Sequence, residues 1–130
     1  LVKQRKNLQE TTDELEPVTL ETTTCEDIRS TLEDIKKCDG VIGYILRNTT
    51  TATIDLNDPS KVIDYAVLSS STFEASEKLS EMLHLGKVKN IIVEGKDKKT
   101  LHLTIDENNI SIFMEKDADP KKILEQLQQA

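Results

Sequence analysis

The sequence predicts an α/β domain of the α+β kind, with the element order α-β-β-α-β-β-β-α around one sheet. Three observations lead there. Short runs rich in Ile, Leu and Val mark five strands, several of them alternating at period two. One long helical stretch, residues 59–85, separates the second strand from the third. The first and fifth strands are apolar on both faces, as strands are in the middle of a sheet covered by helices on both sides.

The chain has 130 residues, the size of one domain with a tail. Residues 1–23 are rich in Lys, Glu, Gln and Thr and are interrupted by Pro17. Leu1, Leu8 and Leu15 recur at sevens, but polar Gln4 and Thr11 occupy the other seam positions. The segment reads as a polar tail or as the end of a helical arm, and residues 24–130 as the domain. Thr24 is the expected cap of a first helix, with Glu26 and Asp27 at its positive end and Lys36 and Lys37 at its negative end. Ile28, Leu32 and Ile35 form its apolar stripe, and Gly40 stops it.

Residues 41–47 form the first strand, with Val41 and Ile45 on one face and Ile42, Tyr44 and Leu46 on the other. After a turn at 48–51, the more polar run 52–56 reads as an edge strand. Asp58 then caps the long helix, and Pro59 takes its first position. Its expected core stripe is Tyr65, Leu68, Ala75, Leu79, Met82 and Leu83. Ser69, Ser70 and Ser71 are mediocre helix formers and mark a potential break, and a strand over 62–68 is the rival reading. Residues 88–94, 100–106 and 110–116 supply the last three strands, with Leu101, Leu103 and Ile105 inward and His102 outward. A closing helix from Pro120 turns Ile123, Leu124 and Leu127 to the core.

Charge and composition exclude several function classes. A net charge of −7 argues against nucleic-acid binding, which needs Lys and Arg against phosphates. Lys96, Lys98 and Lys99 cluster at one turn without aromatic stacking partners and read as a solvated hairpin tip. No run approaches the ~18 apolar residues of a membrane span. Cys25 and Cys38 bracket the first helix and would lie roughly 20 Å apart, too far for a disulfide. That fits a cytoplasmic protein.

No catalytic, metal or cofactor constellation emerges. His84, His102, Cys25 and Cys38 lack the mutual spacing of a nucleophile with its base or of a metal site. The glycines at 40 and 43 precede a strand, whereas a phosphate loop sits between a strand and a helix. What remains is surface. Val62, Ala66, Ser69, Phe73, Ser76 and Ser80 form a second stripe on the long helix, small residues around one aromatic ring. Ile63 and Val67, at i and i+4, fall toward the wet side. Ile63, Ala66, Val67 and Phe73 are therefore the expected partner-binding residues.

Two short runs carry a family resemblance. Asp39-Gly40-Val41-Ile42-Gly43 resembles the entry into the first strand of the roadblock/dynein light chain family. The run from Leu85 through Gly86, Lys87, Val88, Lys89, Asn90, Ile91, Ile92, Val93 and Glu94 to Gly95 resembles that family's passage from the second helix into the third strand. The resemblance covers residues 24–127. It implies a sheet of order 2-1-5-4-3 with one long helix on one face and two helices on the other. It also implies no enzymatic activity and no cofactor. The expected partners are a second copy or a related domain and a Ras-like small GTPase. By the same resemblance the third strands pair antiparallel in a dimer, which makes Val88, Asn90, Ile91, Ile92, Val93 and Glu94 the expected dimer interface. The serine run at 69–71 departs from the Ala- and Leu-rich helix of many relatives. A profilin-like or PAS-like ligand sensor is the alternative, and it would need an enclosed pocket.

Overall fold

In the computed structural model, residues 27–128 are described; the tail, the Thr24 cap and Cys25 lie outside them. Helix α1 (residues 27–36) leads into β1 (Val41–Arg47) and β2 (Ala52–Leu56). A single 3-10 turn (Pro59–Lys61) opens α2 (Val62–Leu83), followed by β3 (Asn90–Glu94), β4 (Lys98–Ile105), β5 (Asn108–Glu115) and α3 (Pro120–Gln128). The five strands pair antiparallel in the order β2-β1-β5-β4-β3. The two doubly apolar strands, β1 and β5, are neighbours near the middle, as their sequences require.

The sheet separates two apolar layers. On one side Ile28, Leu32 and Ile35 of α1 and Ile123 and Leu127 of α3 cover Tyr44, Leu46, Leu101, Ile110, Ile112 and Met114. The buried Tyr44 hydroxyl donates to Glu33 on α1, and burial raises its pKa, with the Glu33 carboxylate adding to the shift. On the other side α2 packs on a smaller cluster of Ile45, Leu56 and Phe113.

Local chemistry accounts for the connections. Asn48 Oδ1 accepts from the backbone N–H groups of Thr50 and Thr51, both at 2.9 Å, and so closes the β1–β2 turn. Asp58 accepts from the backbone N–H of Ser60 at 3.0 Å and caps the turn that starts α2. The helix ends at His84, which takes a left-handed conformation (φ 54°). Gly40 also has a positive φ of 84°, where a Cβ would meet Ala118.

The long helix runs unbroken through the serine run, and residues 62–68 are helix as the main reading has it, not the rival strand. Three expectations change. The strand expected to start at Val88 starts at Asn90, so Val88 lies ahead of β3. Ala75, Leu79, Met82 and Leu83, expected in the core, are exposed, and Ser69 is the buried residue of α2. The surface under the middle of the helix is polar, so small hydroxyl side chains fit there better than leucines. His102, expected to face outward, is fully buried, because α2 covers the second face of β4.

The β4–β5 connection is also tighter than expected. Ile105 pairs with Asn108, leaving a two-residue turn in which Asp106 (φ 49°) and Glu107 (φ 69°) both adopt positive φ. Such primed turns favour glycine at the second position. Glu107→Gly should therefore raise stability by about 0.5–1 kcal/mol, since a left-handed non-glycine costs about 1–2 kcal/mol. Chemical denaturation checks this, and an unchanged or lower midpoint would contradict it.

Candidate functional site

Helix α2 crosses the sheet in a sequence its contacts spell out. Near its start, Val62, Tyr65, Ala66 and Leu68 pack on Ile45, Leu56 and Phe113 of the first, second and fifth strands. The Tyr65 ring stacks on Phe113 with centroids 4.5 Å apart. One turn on, Ser69 meets Ser111 of β5, and Phe73 then meets His102 of β4, ring centroids 5.8 Å apart. The remaining ten residues add about 15 Å at 1.5 Å per residue. That length carries the helix toward the β3 side, the end of the sheet.

Between α2 and the sheet lies a buried polar chain that sequence reading missed. The Ser69 and Ser111 hydroxyls are 2.6 Å apart, His102 Nδ1 lies 2.8 Å from Ser111 Oγ, and His102 Nε2 lies 2.8 Å from Thr100 Oγ1. The only signals in the sequence were polar residues at inward register positions of β4 and β5. A Ser–His contact invites a nucleophilic reading, but no carboxylate is bonded to the imidazole and the group is closed to solvent. Burial pushes the His102 pKa down to about 4, so the ring is neutral at pH 7. The chain fixes where α2 sits: every polar atom in it is paired, and each pairing needs the helix at one height above the sheet. The rings of Tyr65, Phe73, His102 and Phe113 fill the same layer.

The expected partner-binding residues divide between two environments. Ile63 is 76% and Val67 59% exposed, one turn apart on the outer side of α2. Ala66 and Phe73 are half-buried against the sheet and support the helix from beneath. Beyond them, Leu79, Met82, Leu83 and Leu85 expose a second apolar patch, Met82 by 73%. The two patches are separated by twelve residues from Val67 to Leu79, about 18 Å of helix. In β3 the expected interface residues alternate. Ile91 and Val93 register with His102 and Thr100 on the α2 side, and Asn90, Ile92 and Glu94 with Leu103, Leu101 and Lys99 on the other. Arg47, at the end of β1, donates to Ser70 at 2.9 Å.

Solved structures share this architecture. A Roadblock/LC7 domain from Streptomyces avermitilis matches with a TM-score of 0.61 and 12% identity, over 78% of this chain and 85% of that one. The fold is that of a roadblock/LC7 domain. MglC from Myxococcus xanthus matches with a TM-score of 0.52 and 16% identity, over 78% of this chain and 90% of its own. No family model and no curated protein matches the sequence. At such identities the likeness lies in the roadblock fold: the sheet, its order and the placement of the helices.

Among the described residues no group of three His, Cys, Asp or Glu side chains gathers as a metal site would. Cys38 is free and exposed, and no described helix is long and apolar enough to cross a membrane.

Proposed function

We propose that this chain is a non-enzymatic, dimeric platform of the roadblock kind that binds a Ras-like small GTPase in the cytoplasm. The observation that carries the reading is the outer surface of α2. The helix already buries a sheet-facing stripe, yet it exposes apolar residues along its remaining surface in two separate patches. Scattered exposed apolar side chains are ordinary, whereas clustered ones mark interaction surfaces. The patch at Leu79, Met82 and Leu83 lies toward the unpaired β3 edge and suits self-association, which in a stable dimer buries more than ~1,000 Å². The patch at Ile63 and Val67 stays free in such a dimer and is offered to the GTPase, with Ala66 and Phe73 holding the helix in place. Stimulation of the GTPase would come from ordering its switch loops, because Arg47 is engaged by Ser70.

Capture from extracts of the source cells, loaded with GDP or a non-hydrolysable GTP analogue, tests the reading. The immobilised wild-type chain should retain a Ras-like GTPase identified by mass spectrometry. The I63E/V67E double variant should lose at least about tenfold of that retention, since a charge buried in an apolar contact is costly. Its folding stability should stay within about 0.5 kcal/mol, both sites being exposed. Equal retention on the variant would move the site elsewhere, and no GTPase on either would contradict the function.

A further inference from the structure

β2 ends the sheet on the side away from β3, and among the described residues no strand lies beyond it. The bonds that flank the β1–β2 ladder show which of its backbone groups face outward. The Asn57 N–H donates to the Ile42 carbonyl and the Asn48 N–H to the Thr51 carbonyl, both at 3.0 Å. Hydrogen-bonded pairs alternate along an antiparallel ladder, so Thr53 and Asp55 also bond toward β1. The N–H and C=O groups of Ala52, Ile54 and Leu56 then point away from it, and Ile54 is 39% exposed beside them. Such a row is a template for another strand.

Helix α1 determines where the preceding chain arrives. Arg29 donates to Thr53 Oγ1 at 3.1 Å and Lys36 pairs with Asp55, so α1 runs along β2 in the same direction and begins near its start. The residues ahead of α1 are thus delivered to the Ala52 end of the open edge. From residue 22 to residue 27 the chain spans up to about 16 Å, against about 10 Å between packed layers. The stretch that arrives is Val18-Thr19-Leu20-Glu21-Thr22, rich in β-branched residues and alternating, and Pro17 ahead of it has no N–H to give a ladder. Traced back from α1, it lies antiparallel to β2 and parallel to β1. The connection through α1 then has the same hand as the β2–α2–β3 crossover on the opposite face, as the single hand of such crossovers requires.

One register suits both faces. With Leu20 opposite Ile54, Val18 meets Leu56 and Thr22 meets Ala52 on the α2 face. On the α1 face Glu21 meets Thr53, which sets its carboxylate beside the Arg29 guanidinium, and Thr19 meets Asp55. Shifted two residues one way, Glu16 would oppose Leu56 and Pro17 would enter the ladder. Shifted the other way, Glu21 would oppose Asp55, charge against like charge.

We propose that residues 18–22 of this chain occupy the β2 edge as a sixth strand, antiparallel to β2, with Leu20 opposite Ile54 and Glu21 against Arg29. The assignment stands on the open edge, the path of α1 and the charges, and is independent of the GTPase reading.

Amide hydrogen exchange followed by NMR on the full chain tests the pairing. The Ile54 amide should exchange at least about tenfold more slowly in the wild type than in Leu20→Pro, whose missing N–H and fixed ring break the new ladder. Cysteine pairs in a Cys25→Ser, Cys38→Ser background test the register. Opposed Cα atoms in a hydrogen-bonded antiparallel pair lie about 5.5 Å apart, within disulfide range. Leu20→Cys with Ile54→Cys should therefore close an intramolecular disulfide under mild oxidation. Leu20→Cys with Ala52→Cys, two residues off, should close at least about tenfold more slowly. Equal rates for the two pairs, or equal exchange of Ile54 in the wild type and Leu20→Pro, would overturn the assignment. So would a dimer linked through Ile54→Cys alone as fast as the first pair closes, which would give the edge to a second copy.

Discussion

Gly43→Ala should lower the stability of the domain by about 3 kcal/mol, the upper part of the range for forcing atoms into a packed site. Gly43 sits in β1 opposite Leu56 of β2, at the point where the β1–β5 register shifts. A Cβ there would lie 2.3 Å from the Asp55 carbonyl oxygen, 2.7 Å from the Leu56 Cα and 2.8 Å from the Leu56 side chain. Two of these atoms are backbone and cannot rotate away. The hairpin would have to part, and with it the Lys36–Asp55 ion pair that ties α1 to β2. Gly95→Ala provides the contrast, because its Cβ would meet only the Lys98 carbonyl at 3.3 Å. That change should cost no more than about 1 kcal/mol. Urea denaturation of the three proteins checks the pair, and similar midpoints for both variants would contradict the packing argument.

Acid should destabilise the fold through His102 well before most carboxylates titrate. The groups around the imidazole are Thr100 on its own strand, Ser111 and Phe113 on β5, Phe73 on α2 and Ile91 opposite on β3. None of them carries a charge to compensate an imidazolium. Burial holds the folded-state pKa at about 4, against about 6.5 in the unfolded chain. Between those values the unfolded state binds the proton and the folded state does not. Stability is thus fully present above about pH 6.5 and is lost as pH falls toward 4, by on the order of 3 kcal/mol. His102→Gln keeps a polar side chain but cannot titrate, so its stability should fall less over the same interval. Denaturation curves of both proteins at steps from pH 7 to pH 4 measure the difference. Parallel pH profiles would show that His102 does not carry the effect.

The sheet was legible in the sequence, and the orientation of the long helix was not. Tyr44 and Leu46 opposite Ile45 could only belong to a strand covered on both faces, and the same holds for Phe113 among Ile110, Ile112 and Met114. Those two strands set the middle of the sheet, and hydrophobic pattern reports such burial directly. The expected faces of Val41 and Ile42 are exchanged, because the register shifts between Val41 and Gly43 and puts Val41 with Tyr44 and Ile42 with Ile45. On α2 the pattern misled for a physical reason. Tyr65 and Leu68 pack on the sheet as expected, but Leu79, Met82 and Leu83 face outward, and beyond Leu68 the sheet-facing side is built from Ser69, Thr72 and Phe73. Hydrophobicity ranks these stripes in the wrong order because the sheet beneath α2 offers His102, Ser111 and Thr100 rather than leucines. A buried polar chain of this kind can be seen only when two strands and a helix are placed together. The exposure of the residues expected to meet a partner was legible in part: Ile63 and Val67 emerge where helical spacing puts them, whereas Ala66 and Phe73 turn under the helix.

The exposed patches on α2 and the open β3 edge make one claim together, that this chain works as a pair and presents a helix face to a GTPase. Light scattering of the purified chain, alone and mixed with the captured GTPase, measures it most directly. Twice the 14.7 kDa chain mass is expected at micromolar concentration, and a heavier particle once the GTPase is added. A mass of 14.7 kDa at every concentration, with the GTPase eluting apart, would contradict it.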